Sequence, residues 1–200
     1  MSVDKNKLVS HTSIYMLGGI LRRGESLIML PIYPRYLPPA DYGVVELLSM
    51  LLDIATIIFS ARVGGAIFRY YCTAESDTNK NTVISSSLLL AILMNGLGTV
   101  FVIAFSTQLS IAIFSDPAYS SLIALFAVTM LLTPLTEIPL VHIRAQQKPW
   151  LYLFFSTVRL VLQLSFNIYF VVMLDMHVLG VVYSAVISTL IMGIILTGYS

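Results

Sequence analysis

The sequence predicts an all-α polytopic membrane protein built from six transmembrane helices. Composition is the first of three observations behind that prediction. Hydrophobic residues make up 58% of the 200-residue chain and charged residues 10%, where a soluble domain carries about 25% charged residues. That is too little polar surface to clothe a water-exposed exterior, and far too apolar for a disordered chain. The second observation is the distribution of charge. Residues 81–115, 117–136 and 176–200 contain none, and about 20 mostly apolar residues suffice to cross a bilayer. The third is what is missing. A net charge of +1 offers no basic face, so no nucleic-acid partner is expected, and the single Cys72 builds neither a disulfide framework nor a thiolate metal site.

Span one is placed at 12–34, with Arg22, Arg23 and Glu25 inside it. Lys5, Lys7 and the apolar run after them also suit a secretory signal, but no small-residue cleavage site follows and the apolar pattern resumes after Glu25. Span two, 44–66, carries Glu46, Asp53 and Arg62. Spans three and four, 83–106 and 119–140, follow from the charge-free stretches. Span five, 150–173, holds Arg159, and span six is placed at 178–198. Pro31, Pro134 and Pro139 sit in or near the ends of spans one and four, where proline kinks or ends a helix. The loops are short, so the chain reads as a single transmembrane lobe over 1–200.

Basic residues set the orientation. Lys5, Lys7, Arg69, Lys80, Arg144 and Lys148 fall in segments on one side, and only Arg35 falls in a loop on the other. Positive residues favour the cytoplasm, which places the N-terminus there. Tyr33, Tyr36 and Tyr42 flank the outer loop, and Tyr70, Tyr71, Trp150 and Tyr152 the inner ones, as interfacial aromatics do.

The remaining charges lie within the membrane, where an ionisable group faces protein or a water-filled cavity. At 1.5 Å per residue, Arg22 and Arg23 lie about 17 Å deep, Asp53 about 14 Å and Arg159 about 12 Å. Charges on three helices thus meet near one level. Glu46, Ser49, Asp53, Thr56 and Ser60 share one face of span two, while Ser156, Arg159, Gln163 and Asn167 form a stripe on span five. Thr129, Thr133 and Thr136 line span four, and Asn95 and Thr99 mark span three. Stripes of this kind suit a hydrated cavity with Asn95, Gln163 and Asn167 among its polar lining. They also suit plain helix packing, with Arg22 or Arg23 bridging Asp53 and Glu25 bridging Arg159. Arg62, in the last turn of span two and off the Asp53 face, reads as a snorkelling residue. Gly180, Ser184 and Ser188 read as a packing seam.

Counted by sign, Arg22, Arg23 and Arg159 outnumber Glu25 and Asp53 at this level. A cationic cavity favours an anion, and arginine matches phosphate by bidentate hydrogen bonding. The carboxylates could carry a proton or a coupling cation, or could simply form salt bridges. Neither a Walker loop nor an HExxH, CxxC or GxSxG pattern occurs, and His11, His142 and His177 fall near span borders. No catalytic residue, metal ligand or cofactor is expected, and a transporter fits better than an enzyme.

Several pieces, in order, resemble the Wzx-type oligosaccharide and polysaccharide flippases of the MOP superfamily, which are related to the MATE transporters. Arg35-Tyr36-Leu37-Pro38-Pro39-Ala40-Asp41-Tyr42-Gly43 resembles their first outer loop, and Arg69-Tyr70-Tyr71 the start of the next inner loop. Asn81 to Ser87 resembles the entry to span three, and Arg144-Ala145-Gln146-Gln147-Lys148 the loop before span five. The resemblance implies two lobes around a central cavity, and alternating-access export of an undecaprenyl-pyrophosphate-linked glycan across the bacterial inner membrane for O-antigen or similar surface polysaccharide. It makes Arg22, Arg23 and Arg159 candidate contacts to the anionic part of the substrate, with Glu25 and Asp53 as coupling or ion-pair groups. Membrane lipids and a missing C-terminal lobe are the expected partners, since six spans are half of such a transporter. A MATE-like cation-coupled antiporter and a non-transporting scaffold subunit are the alternatives.

Overall fold

The computed structural model describes residues 16–20, 28–29, 31, 33–60 and 77–199. Arg22, Arg23, Glu25, Arg62, Arg69, Tyr70, Tyr71 and Cys72 lie outside the described residues, as do Lys5, Lys7 and His11. The described residues form helices and turns, with no strand among them. A short α1 (Tyr33–Tyr36) leads into α2 (Pro39–Ser60), and α3 spans Asp77–Ala104. After Phe105 come the short α4 (Ser106–Phe114), a 3-10 turn at Pro117–Tyr119, and α5 (Ser120–Ala145). α6 (Pro149–Asn167) passes into a π-helical stretch, Ile168–Met173, and α7 (His177–Tyr199) follows.

Five of these segments are long and apolar enough to cross a membrane: Pro39–Phe59, Ile84–Ala104, Pro117–Ala145, Pro149–Met173 and His177–Tyr199. They correspond to expected spans two to six. Most of span one, 12–34, lies outside the described residues, so six spans are not established.

Several borders differ from expectation, each for a local reason. Span two begins at Pro39 rather than 44, because proline is well suited to the first helical position, where its missing N–H costs nothing. The outer-loop stretch 35–43 is therefore mostly helix, with only Leu37 and Pro38 between α1 and α2. Span four continues to Ala145, and Pro134 and Pro139 do not end it. Each removes one backbone donor, but the ladder on either side holds, and Thr133 and Thr136 hydroxyls bond the carbonyls of Thr129 and Thr133 at 2.7 and 2.9 Å. Tyr33 and Tyr152 are buried rather than interfacial, whereas Trp150 is exposed as a belt residue would be. The ring of Tyr152 lies under the Arg144 guanidinium, 5.6 Å from its carbon.

Tight turns make the long helices antiparallel neighbours. α5 turns into α6 through Gln146–Lys148, with Gln147 at φ 56°. The π-helical end of span five turns into α7 through Leu174–Met176, with Asp175 at φ 52°. α5 packs against α2, α3, α6 and α7, and so forms the centre of the bundle.

The core divides in two. One apolar cluster includes Leu48 and Leu52 of α2, Ile123, Ala127 and Met130 of α5, and Val178, Val181 and Val182 of α7. The other joins Leu140 and Ile143 of α5, Tyr152 and Phe155 of α6, and Met192 and Leu196 of α7. Each of the three helices α5, α6 and α7 places its polar residues between these clusters. Outward faces are apolar: Leu89, Leu93, Leu97 and Val100 make an exposed stripe on α3, and Met50, Ile54 and Ile57 one on α2. Such a belt has no place in water and suits acyl chains.

Gly98 marks a close helix crossing. A Cβ there would lie 2.5 Å from Met130 Cε and 2.7 Å from Phe59 Cγ, so α2, α3 and α5 approach only because the side chain is absent. Gly96 is different, since its Cβ would meet Leu131 Cδ1 at 3.5 Å, an ordinary contact. Gly98→Val is therefore expected to destabilise the bundle by about 1–3 kcal/mol, read as a lower thermal transition of the detergent-purified protein. Gly96→Val should leave the transition nearly unchanged.

Candidate functional site

A cavity of about 490 Å³ opens within the bundle, inside the size range of small-molecule sites. Its α2 wall carries Glu46, Ser49, Asp53 and Thr56, four residues of the stripe read from the sequence. α6 contributes Ser156, Arg159 and Gln163. α5 adds Thr129 and Thr133, and α7 adds Thr189. Apolar and aromatic residues close the remainder, among them Tyr33, Tyr42, Leu52, Phe126 and Met130. Tyr33 and Tyr42 sit with ring centroids 6.2 Å apart at the end where α2 and α7 begin. At the same end, His177 Nδ1 lies 3.6 Å from the Asp41 carboxylate, and so ties the starts of α7 and α2 together.

Helical spacing explains why these side chains converge. The α2 residues recur at intervals of three and four, which keeps them on one face, while Leu48, Leu52 and Ala55 fill the core beside them. Asp53 lies 14 residues from the start of α2, and Arg159 the same number before the end of the π-helical segment. Both are thus about 21 Å from one end of the bundle. The level expected from counting residues brings Asp53 and Arg159 to the same cavity.

Arg159 Nη1 pairs with Glu137 Oε1 of α5 at 3.3 Å. The hairpin geometry produces that pairing: Glu137 stands eight residues before the end of α5 and Arg159 ten after the start of α6, so the two share a level. Both side chains are about one-third exposed, at 31% and 30%. Glu137 was not among the residues expected from the sequence, where Glu25 was the suggested partner. The signal was present, since Thr129, Thr133 and Glu137 lie at intervals of four and continue one face of α5.

The other expected polar residues fall elsewhere. Gln163 lines the cavity and accepts a hydrogen bond from Ser188 of α7. Asn95 and Asn167 are buried and stand outside the cavity wall. Asn95 Nδ2 donates to the Ala91 carbonyl at 2.8 Å, and Thr99 Oγ1 lies 2.8 Å from the Asn95 carbonyl and 3.3 Å from that of Ala127 on α5. The Thr99–Ala127 hydrogen bond ties α3 to α5. Gly180, Ser184 and Ser188 are buried, as a packing seam requires. Ser156 is a wall residue whose Oγ is fully buried, 3.5 Å from where a Cβ on Gly18 would stand, with no hydrogen-bond partner among the described residues. The positive excess expected at this level rests on Arg22 and Arg23, outside the described residues. Among the described residues the wall carries the carboxylates of Glu46 and Asp53 and the guanidinium of Arg159.

A polar cavity at mid-height in a bundle of apolar helices defines a polytopic membrane protein of the kind that handles a polar solute within the bilayer. Residues 8–200 match the family model described as polysaccharide biosynthesis protein, and the chain belongs to that family, the one of the Wzx-type flippases in the MOP superfamily. No curated protein and no solved structure matches the chain.

Thr99→Val tests the division between packing and cavity residues. It keeps the shape and removes the α3–α5 hydrogen bond, and is expected to lower stability by about 0.6 kcal/mol in a denaturation series, with transport unchanged.

Proposed function

We propose that this protein flips a polyprenyl-pyrophosphate-linked oligosaccharide from the cytoplasmic to the outer leaflet of the bacterial inner membrane, for surface polysaccharide such as O-antigen. The observation that carries the reading is Arg159, a guanidinium held at mid-height on the wall of a polar cavity. A lipid-linked glycan needs its anionic pyrophosphate carried through hydrocarbon, where an uncompensated charge is costly. Arginine offers several donors in a planar fork that suits phosphate oxygens. Arg22 and Arg23 supply further contacts to the same group, while Asp53 and Glu25 carry the coupling proton or cation or balance the arginines. Serine, threonine and glutamine on the wall offer hydrogen bonds to sugar hydroxyls. No group in the cavity is assigned to bond-making chemistry, and the step is translocation.

The chain works with its N-terminus in the cytoplasm and with a second lobe completing the cavity. Exposure of Glu46 and Asp53 in the body of α2 suits a wall that faces such a lobe. Alternating access then follows from ligand-dependent populations of inward- and outward-open states.

One observation favours a second reading. Among the described residues, Glu46 and Asp53 stand on the wall against Arg159 alone, the charge balance that a cation-coupled antiporter for small organic cations would carry. Complementation of a strain lacking its own flippase distinguishes the two. The wild-type gene should restore surface glycan, and Arg159→Ala should reduce it at least about tenfold, the loss that follows truncation of one partner in a hydrogen-bonded charge pair. Normal glycan with Arg159→Ala would remove the site assignment. Drug efflux without any effect on glycan would instead establish the antiporter.

A further inference from the structure

We infer that Glu137 is a built-in counter-ion that competes with the transported anion for Arg159. The inference deepens the proposed function and rests on its reading of Arg159 as the anion contact. Two observations carry it. The Arg159–Glu137 contact is a single one, at 3.3 Å, longer than the 2.7–2.9 Å of a strong charge-assisted pair. A guanidinium has five N–H donors, so one such contact leaves donors directed elsewhere. The asymmetry of the pair comes next: Arg159 lines the cavity and Glu137 stands behind it on α5, outside the wall.

An anion with several oxygens satisfies this arrangement. It accepts from the open N–H groups of Arg159, and it draws the guanidinium forward from Glu137. When the anion leaves, Glu137 closes on Arg159 again, and the empty cavity does not carry a bare cation. Glu137 therefore weakens binding and speeds release. It is a positioning residue, acting through Arg159 without touching the substrate. A carboxylate that merely pinned α5 to α6 would do neither.

The test uses the detergent-purified protein with geranylgeranyl pyrophosphate as the anionic probe and geranylgeraniol as its uncharged control. Arg159→Gln should weaken pyrophosphate binding and leave the alcohol unaffected. Glu137→Gln should tighten pyrophosphate binding by up to about fivefold, the upper end for removing a partly exposed competing charge. That gain should vanish in the Arg159→Gln, Glu137→Gln double variant. In proteoliposomes, Glu137→Gln should lower both KM and kcat for the pyrophosphate lipid, because tighter binding slows release. Glu137→Asp keeps the charge and draws it back by one methylene, and should fall between wild type and Glu137→Gln, so the inference stays testable if the neutral variant does not fold. If Arg159→Gln leaves pyrophosphate binding unchanged, the anion-site reading fails. If Arg159→Gln weakens binding but Glu137→Gln weakens it too or leaves it alone, that reading stands and the counter-ion role is overturned.

Discussion

Hydrocarbon offers no hydrogen bonds, so each polar side chain carried into the bilayer needs a partner from the protein or from enclosed water. Much of the architecture follows from how that demand is met. α5, α6 and α7 each pass from one apolar cluster to the other through a polar layer. On α5 the layer holds Thr133, Thr136 and Glu137, on α6 Ser156, Arg159 and Gln163, and on α7 Ser184 and Ser188. Most of their demands are met at once. Thr133, Thr136 and Ser184 bond carbonyls of their own helices, Ser188 bonds Gln163, and Arg159 meets Glu137. The cavity lies where this layer meets the polar face of α2, and its wall is made of groups that packing does not fully absorb.

The two apolar clusters give the layer its position. Leu140, Ile143, Tyr152, Phe155, Met192 and Leu196 interlock around the α5–α6 turn, while the larger cluster closes the opposite end against α2. With both ends packed, α5 runs unbroken through Pro134 and Pro139, since neighbouring helices hold a segment that has lost two of its own backbone donors. Both prolines lie in or beside the polar layer.

The helical class, five of the spans and the α2 and α6 stripes were legible in the sequence, because charge-free length and a period near 3.6 are local properties. Glu46, Ser49, Asp53 and Thr56 came together as the period required, and Asp53 and Arg159 reached one level as residue counting required. What was not legible depends on which helix faces which. Asn95 and Thr99 have the same spacing whether they face water or protein, and the bundle buries both, with Thr99 bonded to α5. Glu137 falls inside the expected span four, 119–140, and α5 extends eight residues beyond it. Its pairing with Arg159 needed the tight Gln146–Lys148 turn, which sets the two helices in register. Tyr152 read as a belt residue by its place near a loop, but it packs inward, where a Cβ on Gly18 would lie 2.4 Å from its ring.

The sign of the cavity looks contradictory only if it is judged in one state. A site that binds an anion needs cationic donors, and an empty site in a low-dielectric surround is destabilised by those same cations. Carboxylates nearby lower the cost of the empty state and raise that of the loaded one. They bring the two closer in free energy, which is what a carrier needs in order to load on one side and unload on the other. Seen this way, acids beside Arg159 are part of the same design as the arginine. Strong binding alone would hold the substrate at mid-membrane. On the proposed function, a guanidinium shared between an internal carboxylate and a passing anion would bind tightly enough to offset desolvation and loosely enough to let go.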